Sequence, residues 1–257
     1  MSPSRIATAY FTLVRKEVIR MTRIWSQTFL PSVITMSLYY AIFGTFIGSQ
    51  IAPTDGFSYI QFIVPGLVMM AVITNAYSNV VSAFFGAKFQ RNLEELMVSP
   101  TPAWVIVAGF ASGGVLRGLI VGVLVLLTSL FFTHLVIYNL FIIMAAALLT
   151  CILFSLAGLL NGLFAKTFDA VSIVPTFVLT PLTYLGGVFY SVNRLPPFWR
   201  ELSFFNPILY IVNLFRYGFL GISDVPVIES FALLSALTVA LLVLLLVLFK
   251  RGVGLKS

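Results

Sequence analysis

The sequence predicts an all-α integral membrane protein with six transmembrane helices. Hydrophobic side chains make up 60% of the 257 residues, and Asp, Glu, Lys and Arg only 9%, against about 25% charged residues in a soluble domain. Residues 118–165 contain no Asp, Glu, Lys or Arg, and this stretch accommodates two crossings of about 20 apolar residues each. Because the apolar runs are continuous rather than alternating, they favour helices over outer-membrane strands.

Hydropathy divides the chain into spans and connections within a single transmembrane domain, 1–257. The predicted spans are 29–48, 60–86, 104–132, 139–165, 171–190 and 230–249. The other segments are an N-terminal helix at 1–28, a cytoplasmic connection at 87–100, an external segment at 191–229 and a cytoplasmic tail at 250–257.

The N-terminal helix is predicted to be amphipathic and to lie in the plane of the membrane. Its basic face would meet the anionic headgroups of the cytoplasmic leaflet. The alternative is that these charges only set the topology. At helical spacing, the apolar face consists of Phe11, Val14, Val18, Met21 and Trp25, and the opposite face of Lys16, Arg20 and Arg23.

The distribution of basic residues predicts that both termini are cytoplasmic. Basic residues concentrate in cytoplasmic segments, and with six spans eleven of the 15 Lys and Arg residues lie on that side. Residues 204–220 are apolar enough for a seventh crossing, but this crossing would place Lys250, Arg251 and Lys256 outside. We therefore interpret 191–229 as an external segment with a re-entrant helical hairpin. Such backbone must be buried in protein or line a watery cavity.

The chain lacks the motifs of the common catalytic sites. It contains no H-E-x-x-H metal motif, no G-x-x-x-x-G-K-[ST] phosphate loop and no G-x-S-x-G nucleophile turn. Ser112 and the single histidine, His134, lie about 30 Å apart along one predicted helix, too far to form a protease pair. Asp169 and Asp224 are predicted on opposite sides of the membrane, so they cannot share a proton. We expect no catalytic residues, no metal site and no nucleic-acid binding.

Span three contains a group of closely spaced glycines and a single arginine. Gly109, Gly113 and Gly114 have a spacing that permits close helix packing. Arg117 would cost about 2.5–3.5 kcal/mol at the bilayer centre, so it either anchors at the interface or faces a cavity. Because no carboxylate lies within the predicted spans, a secondary transporter or channel is the weaker alternative to a transporter driven by a partner protein.

The connection between spans two and three is predicted to form a short amphipathic helix at 87–100. Leu93, Leu96 and Met97 recur at i, i+3 and i+4, and Arg91 can pair with Glu95 at i, i+4. Prolines at positions 100 and 102 end the helix. Such a helix can dock in a groove of a soluble partner and carry its movement into the membrane. The alternative is a solvated charged loop.

This connection resembles the coupling helix of the ABC-2-type permeases, the transmembrane subunits of ATP-binding-cassette exporters for polysaccharides and drugs. The family's Arg, Leu-Glu-x-Leu and Ser-Pro are matched by Arg91, Leu93-Glu94-Glu95-Leu96 and Ser99-Pro100. The resemblance covers nearly the whole chain. Further similar motifs are Val64-Pro65-Gly66-Leu67, Pro175, residues 180–190 and 195–199, and Asn206-Pro207 followed by Arg216 and Gly218.

The resemblance implies a half-pore of a bacterial inner membrane that forms a homodimer with two separate ATPase subunits. ATP and Mg would bind to those subunits, and no cofactor to this chain. The implied cargo is amphipathic or glycan-, lipid- or drug-like. The implied ATPase contacts are Arg91, Leu93, Glu94, Glu95 and Leu96, and the implied gate helix contains Lys16, Arg20, Arg23 and Trp25. The candidate pathway residues are Tyr59, Tyr77, Arg117, Tyr184, Tyr190, Asn206 and Arg216.

Overall fold

A computed structural model describes residues 2–51, 53 and 56–255, and this part of the chain is helical. Lys256, which the sequence assigns to the cytoplasmic tail, lies outside the described residues. The helices are α1 (Pro3–Arg23), α2 (Trp25–Tyr39), α3 (Tyr59–Phe89), α4 (Asn92–Val98), α5 (Ala103–Ser129), α6 (Leu140–Phe164), α7 (Phe168–Val174), α8 (Thr180–Leu185), α9 (Pro197–Phe204), α10 (Pro207–Leu220) and α11 (Val227–Arg251).

Six helical segments of the described chain are long and apolar enough to cross a membrane. They confirm the six predicted spans and are numbered one to six below. Span five ends at Leu185 rather than at residue 190, because Gly187 adopts a φ of 70° that turns the chain. The six segments are Trp25–Gln50, Tyr59–Phe89, Ala103–Ser129, Leu140–Phe164, Phe168–Leu185 and Val227–Arg251.

Span two, formed by α3, is the central helix of the bundle. Its most apolar window is 72% buried, whereas the corresponding windows of spans one and five are 17% and 11% buried. Spans three and four pack on α3 through glycines. A Cβ at Gly158 of α6 would lie 2.5 Å from the carbonyl oxygen of Tyr77 on α3, so the two backbones approach each other only because this residue is glycine.

Helix α1 packs lengthwise along the first half of α5. Leu13 lies over Gly109 and Glu17 over Gly113, where an added Cβ would come within 2.7 Å and 2.8 Å of the α1 side chains. Tyr10 and Ser112 share a hydrogen bond of 2.8 Å. The glycines of span three therefore serve close helix packing, as the sequence predicts.

Of the buried residues of α1, only Met21 belongs to the predicted apolar face. Leu13, Glu17 and Met21 are buried, while Phe11 and Trp25 are 67% and 59% exposed. The glycine groove on α5 selects the side chains that fit it, whatever their polarity. Exposed aromatic rings on the other side remain suited to a membrane interface.

Spans one and five are the irregular helices of the bundle. Each contains a widened, π-helical segment, Tyr40–Ile47 in span one and Pro175–Leu179 in span five. Pro31 lies inside α2, and Pro181 follows the irregular segment of span five. Proline removes a backbone donor, and irregular turns of this type often occur at functional sites. Two of the three least buried spans are therefore also irregular, the third being span six.

The segment between spans five and six contains a helical hairpin made of α9 and α10. Asn206 begins α10, since its side-chain oxygen accepts a hydrogen bond of 2.9 Å from the backbone N–H of Ile208. Its side-chain amide donates to the carbonyl of Leu182 at 2.5 Å, which places the tip of the hairpin beside α8. Gly221, with a φ of 72°, ends α10.

Helix α4 is shorter than the predicted 87–100 helix, because α3 runs on to Phe89. The corner between the two helices is made by Arg91, whose φ of 61° is the only positive value for a non-glycine residue in the described part of the chain. The hydroxyl of Ser99 donates to the carbonyl of Leu96 at 2.6 Å and closes the other end. Helix α4 and its two flanking turns therefore form a compact unit between two long spans.

Candidate functional site

Helix α4 has one buried face and one exposed face. Leu93 is completely buried and belongs to a core cluster that includes Val80, Phe84 and Ile106. Leu96 is partly buried against the same cluster. The exposed side chains are those of Arg91, Asn92, Glu94, Glu95, Met97 and Val98. Helix α4 therefore presents two carboxylates and two apolar side chains outward while its leucines hold it to the bundle.

Two expectations for this helix need correction. Arg91 and Glu95 do not form the expected ion pair; the ion pair found among the described residues joins Glu17 and Arg20. Arg91 lies at the left-handed corner before α4 and not within the helix. Leu93 cannot contact a partner in this conformation, since it is buried. Hydrophobic spacing predicts which residues share a face, but not that the bundle covers that face.

A buried polar network ties α1 to span two. The guanidinium of Arg20 donates to the carboxylate of Glu17 at 2.7 Å and to the side-chain oxygen of Asn79 at 2.9 Å. It also donates to the backbone carbonyl of Asn79 at 3.1 Å. Arg20 thus lies on the packed face of α1 and not on an exposed basic face with Lys16 and Arg23, which are exposed. Glu17 is the buried partner, and the partly exposed Arg20 on the adjacent turn compensates its charge.

Arg117 of span three belongs to a neighbouring polar cluster. Its Nε donates to the side-chain oxygen of Asn75 at 3.1 Å, and the amide of Asn75 donates to the hydroxyl of Ser32 at 2.9 Å. Arg117 also lies close enough to Arg20 for their charges to repel. The arginine is therefore held by spans one and two rather than free at an interface.

Sequence analysis missed Glu17, Asn75 and Asn79. A signal was present, because Glu17 and Arg20 have the i, i+3 spacing of a helical ion pair. Asn75 and Asn79 also repeat at i, i+4 within an apolar span, where polar side chains usually bond to neighbouring helices.

An aromatic cluster joins span one to span five and to the turn that follows span five. The ring of Phe189 lies 5.1 Å from Phe43, 6.0 Å from Tyr39 and 6.1 Å from Tyr184, measured between centroids. Tyr184 is 45% exposed. Of the predicted pathway tyrosines, it is the one with the most accessible ring in this arrangement. Tyr39, Phe43 and Phe189 are additional members that the motifs did not indicate.

Two further predicted tyrosines border this cluster through hydrogen bonds. The hydroxyl of Tyr59 donates to the carbonyl of Phe189 at 3.1 Å, and that of Tyr190 donates to the carbonyl of Tyr184 at 2.9 Å. Burial raises the pKa of Tyr190 above its ordinary value, so its phenol stays protonated and remains a donor. Both tyrosines fix the turn that follows span five.

Three predicted pathway residues lie in the interior and do not line a surface. Tyr77 packs in the core of α3, Asn206 caps α10, and Arg216 is almost completely buried. Arg216 donates to the carbonyls of Phe62 and Gly187 at 3.3 Å and 2.6 Å. Asn206 and Arg216 complete backbone hydrogen bonding within the protein, a role that composition alone does not separate from a pathway role.

The turn after span five is fastened by Asp224. Its carboxylate accepts hydrogen bonds from the hydroxyl of Ser191 at 2.6 Å, the backbone N–H of Val192 at 3.0 Å and the amide of Asn193 at 3.0 Å. The backbone N–H of Asp224 donates to the side chain of Asn213 on α10 at 2.8 Å. Asp224 therefore has a structural role in connecting the hairpin to the end of span five.

Metal coordination has no obvious place in this arrangement. Across residues 2–51, 53 and 56–255, no three side chains of His, Cys, Asp or Glu come together in a way that could hold a metal ion. The single cysteine, Cys151, is a buried thiol.

Comparison with known proteins agrees with this geometry. Residues 8–220 match the family model of the ABC-2 type transporter. The chain is 60% identical over 242 residues to the inner membrane transport permease YadH of Escherichia coli strain K12, covering 94% of each chain. It is 24% identical over 204 residues to nodulation protein J of Rhizobium leguminosarum bv. viciae, covering 77% of this chain and 78% of the relative. The chain therefore belongs to the ABC-2 type transporter family and is a multi-pass transport permease of the inner membrane, a family whose members work with an ABC ATPase.

Proposed function

We propose that this chain forms half of a translocation pathway, and that two copies assemble with two separate ATPase subunits to export an amphipathic or glycan-, lipid- or drug-like substrate. The observation that carries the proposal is the two-faced helix α4. Its leucines are embedded in the bundle, while Glu94, Glu95, Met97 and Val98 face outward. ATP and Mg would be held by the partner subunits.

The position of α4 suits the transmission of force. It is joined to α3 by the corner at Arg91 and to α5 by a short connection that contains Pro100 and Pro102. Leu93 contacts side chains of both long helices. Because packed helices move as rigid bodies, a displacement of α4 by a partner moves spans two and three rather than bending the connection.

The second permease copy would meet spans one and five. These spans are the least buried together with span six, and their aromatic cluster of Tyr39, Phe43, Tyr184 and Phe189 offers rings toward the outer part of the bundle. Aromatic side chains supply large contact area and bind apolar substrates. The pathway in this proposal runs between two copies along this cluster, with Arg117 deeper inside.

The orientation in this proposal has both termini and α4 in the cytoplasm, and the hairpin of α9 and α10 re-entering the bilayer from outside. An even number of spans puts the termini on one side. Exposed rings on the hairpin, such as Phe198 and Phe205 at 69% and 87% exposure, support contact with lipid. Helix α1, with exposed Lys16, Arg23 and Trp25, would act as the gate helix at the inner surface.

The test is charge reversal on α4. The double variant Glu94→Lys, Glu95→Lys is expected to lose co-purification with its P-loop ATPase subunit and to lose stimulation of ATP hydrolysis. Glu201 and Glu229, both exposed outside α4, provide a matched double-reversal control that should behave like the wild-type chain. Normal assembly and transport by the α4 variant would show that α4 is not the coupling helix.

The remaining alternative is a secondary transporter or channel that needs no ATPase. It predicts transport in vesicles that persists without nucleotide and collapses with the proton gradient. The proposal predicts the opposite dependence. Arg117 favours neither alone, because a single arginine bound to Asn75 provides no titrating carboxylate for proton coupling.

A further inference from the structure

A cavity opens at the ends of α3 and α6, on the same side of the bundle as α4. Its volume is about 400 Å³, and it is separate from both the aromatic cluster and the Arg117 cluster. Three phenylalanines form its apolar walls and two lysines its polar part. The lining includes Phe85, Phe89, Phe164, Lys88, Lys166 and Gly254.

Lys88 forms the floor of the cavity. Its ammonium donates to the carbonyl of Leu163 at 2.8 Å and to that of Ala165 at 3.3 Å. Lys88 is only 8% exposed. These carbonyls belong to the end of α6, where backbone acceptors have no partner within the helix. An ammonium has three donors, so one N–H remains for a ligand.

Lys166 stands at the exposed rim, and its charge repels that of Lys88. Within the part of the chain that the structure describes, neither lysine forms an ion pair, since the ion pair found there is that of Arg20 with Glu17. Two neighbouring cations without a carboxylate between them are stabilised by an anion. The charge of the site therefore calls for a negatively charged ligand.

The phenylalanine walls of the cavity favour a ligand that has an apolar part as well as a negative charge. Phe168 packs edge-on against Phe85 and Phe89, with centroid distances of 4.9 Å and 5.1 Å, and Phe89 is 64% exposed. The third wall is the chain after span six. Gly254 has a φ of 73°, and a Cβ there would lie 2.9 Å from the carbonyl oxygen of Leu163, so a glycine is needed for the tail to close the cavity.

We propose that this cavity is a binding site for an anionic phospholipid, with the phosphate between Lys88 and Lys166 and the start of an acyl chain against Phe85 and Phe89. Basic pockets between transmembrane helices on the cytoplasmic side bind anionic headgroups. A free phosphate ion would use the lysines and leave the phenylalanine walls in water. The site goes beyond the proposed export function, because it is distant from the aromatic cluster and touches the helix that leads into α4.

The experiment uses the purified full-length chain in detergent. Native mass spectrometry with added dioleoylphosphatidylglycerol, or with dioleoylphosphatidylcholine, counts bound lipid, and melting curves report stabilisation. The test variant is Lys166→Gln, which removes an exposed rim charge without disturbing the core. The matched control is Lys250→Gln, an exposed basic residue at the end of α11 that does not line the cavity.

Phosphatidylglycerol is expected to bind and stabilise the wild-type chain more strongly than phosphatidylcholine. Lys166→Gln should weaken this binding about fivefold, equivalent to about 1 kcal/mol, and Lys250→Gln should leave it unchanged. Equal binding of the two lipids, an unaffected Lys166→Gln variant, or an equal loss in Lys250→Gln would each overturn the proposal. Equal stabilisation by glycerol 3-phosphate, which has no acyl chain, would overturn the assignment to a lipid.

Discussion

The guanidinium carbon of Arg216 lies 3.9 Å from the centroid of the Phe62 ring. The same guanidinium donates to the carbonyl of Gly187 at 2.6 Å and to that of Phe62 at 3.3 Å. One side chain of α10 therefore joins the start of span two to the turn after span five. A cation over an aromatic face is most strongly bound where water is excluded, as it is here.

The first prediction concerns this junction. Arg216→Lys keeps the charge, but a single ammonium cannot reproduce the planar fork that reaches two carbonyls and covers the ring. We expect a loss of about 2 kcal/mol in stability, measured as a lower melting temperature in detergent. Arg200→Lys, on the exposed side of α9, is the control. Equal melting temperatures for the two variants would contradict a structural role for Arg216.

The second prediction concerns the docking of α1 on α5. Gly113→Leu inserts a side chain where Glu17 already lies, and overpacking of this type costs about 1–3 kcal/mol. We expect α1 to detach, so that a Leu13→Cys reporter in a Cys151→Ala background reacts faster with maleimide. Gly86→Leu is the matched control, because nothing lies within 4 Å of a Cβ at that glycine. Slow labelling in both variants would refute the docking mode.

The third prediction concerns the ion pair between the buried Glu17 and the partly exposed Arg20. Glu17→Gln leaves Arg20 without its carboxylate beside Arg117, and we expect a loss of about 1–2 kcal/mol. In the double variant Glu17→Gln, Arg20→Gln the loss should be smaller than the sum of the single losses, as for residues in direct contact. Melting curves in detergent measure both effects, with exposed Arg23→Gln as the control. Strict additivity would mean that the pair contributes nothing.

The fourth prediction separates the two faces of α4. Leu93→Ala removes a completely buried side chain and should lower stability by about 2–4 kcal/mol. Val98→Ala removes an 88% exposed side chain and should leave the melting temperature unchanged while weakening co-purification with the ATPase. A stable Leu93→Ala variant, or a Val98→Ala variant with full ATPase binding, would contradict the assignment of the faces.

Hydropathy is sufficient to predict the six spans, but it does not predict which face of each helix packs against the rest of the protein. In a bilayer, lipid-facing and protein-facing surfaces are both apolar, so the periodicity that marks a buried face in water is lost. Within the spans, this ambiguity makes Tyr77 a candidate pathway residue by sequence, whereas the structure buries it against Gly158 in the core. Helix α1 lies outside the spans, and there the glycines of α5 decide that it packs through Leu13 and Glu17 rather than through Phe11 and Trp25.

The class of protein, the six spans and the short helix between spans two and three can all be predicted from the amino-acid sequence alone. These properties depend on local composition, because an apolar run of about 20 residues crosses the bilayer as a helix. The folded bundle was needed to show that Leu93 faces inward, that Arg216 binds Phe62 and Gly187, and that Lys88 and Lys166 share one cavity. Those relationships join residues far apart in the chain, and they follow from which helices pack together rather than from the character of any single segment.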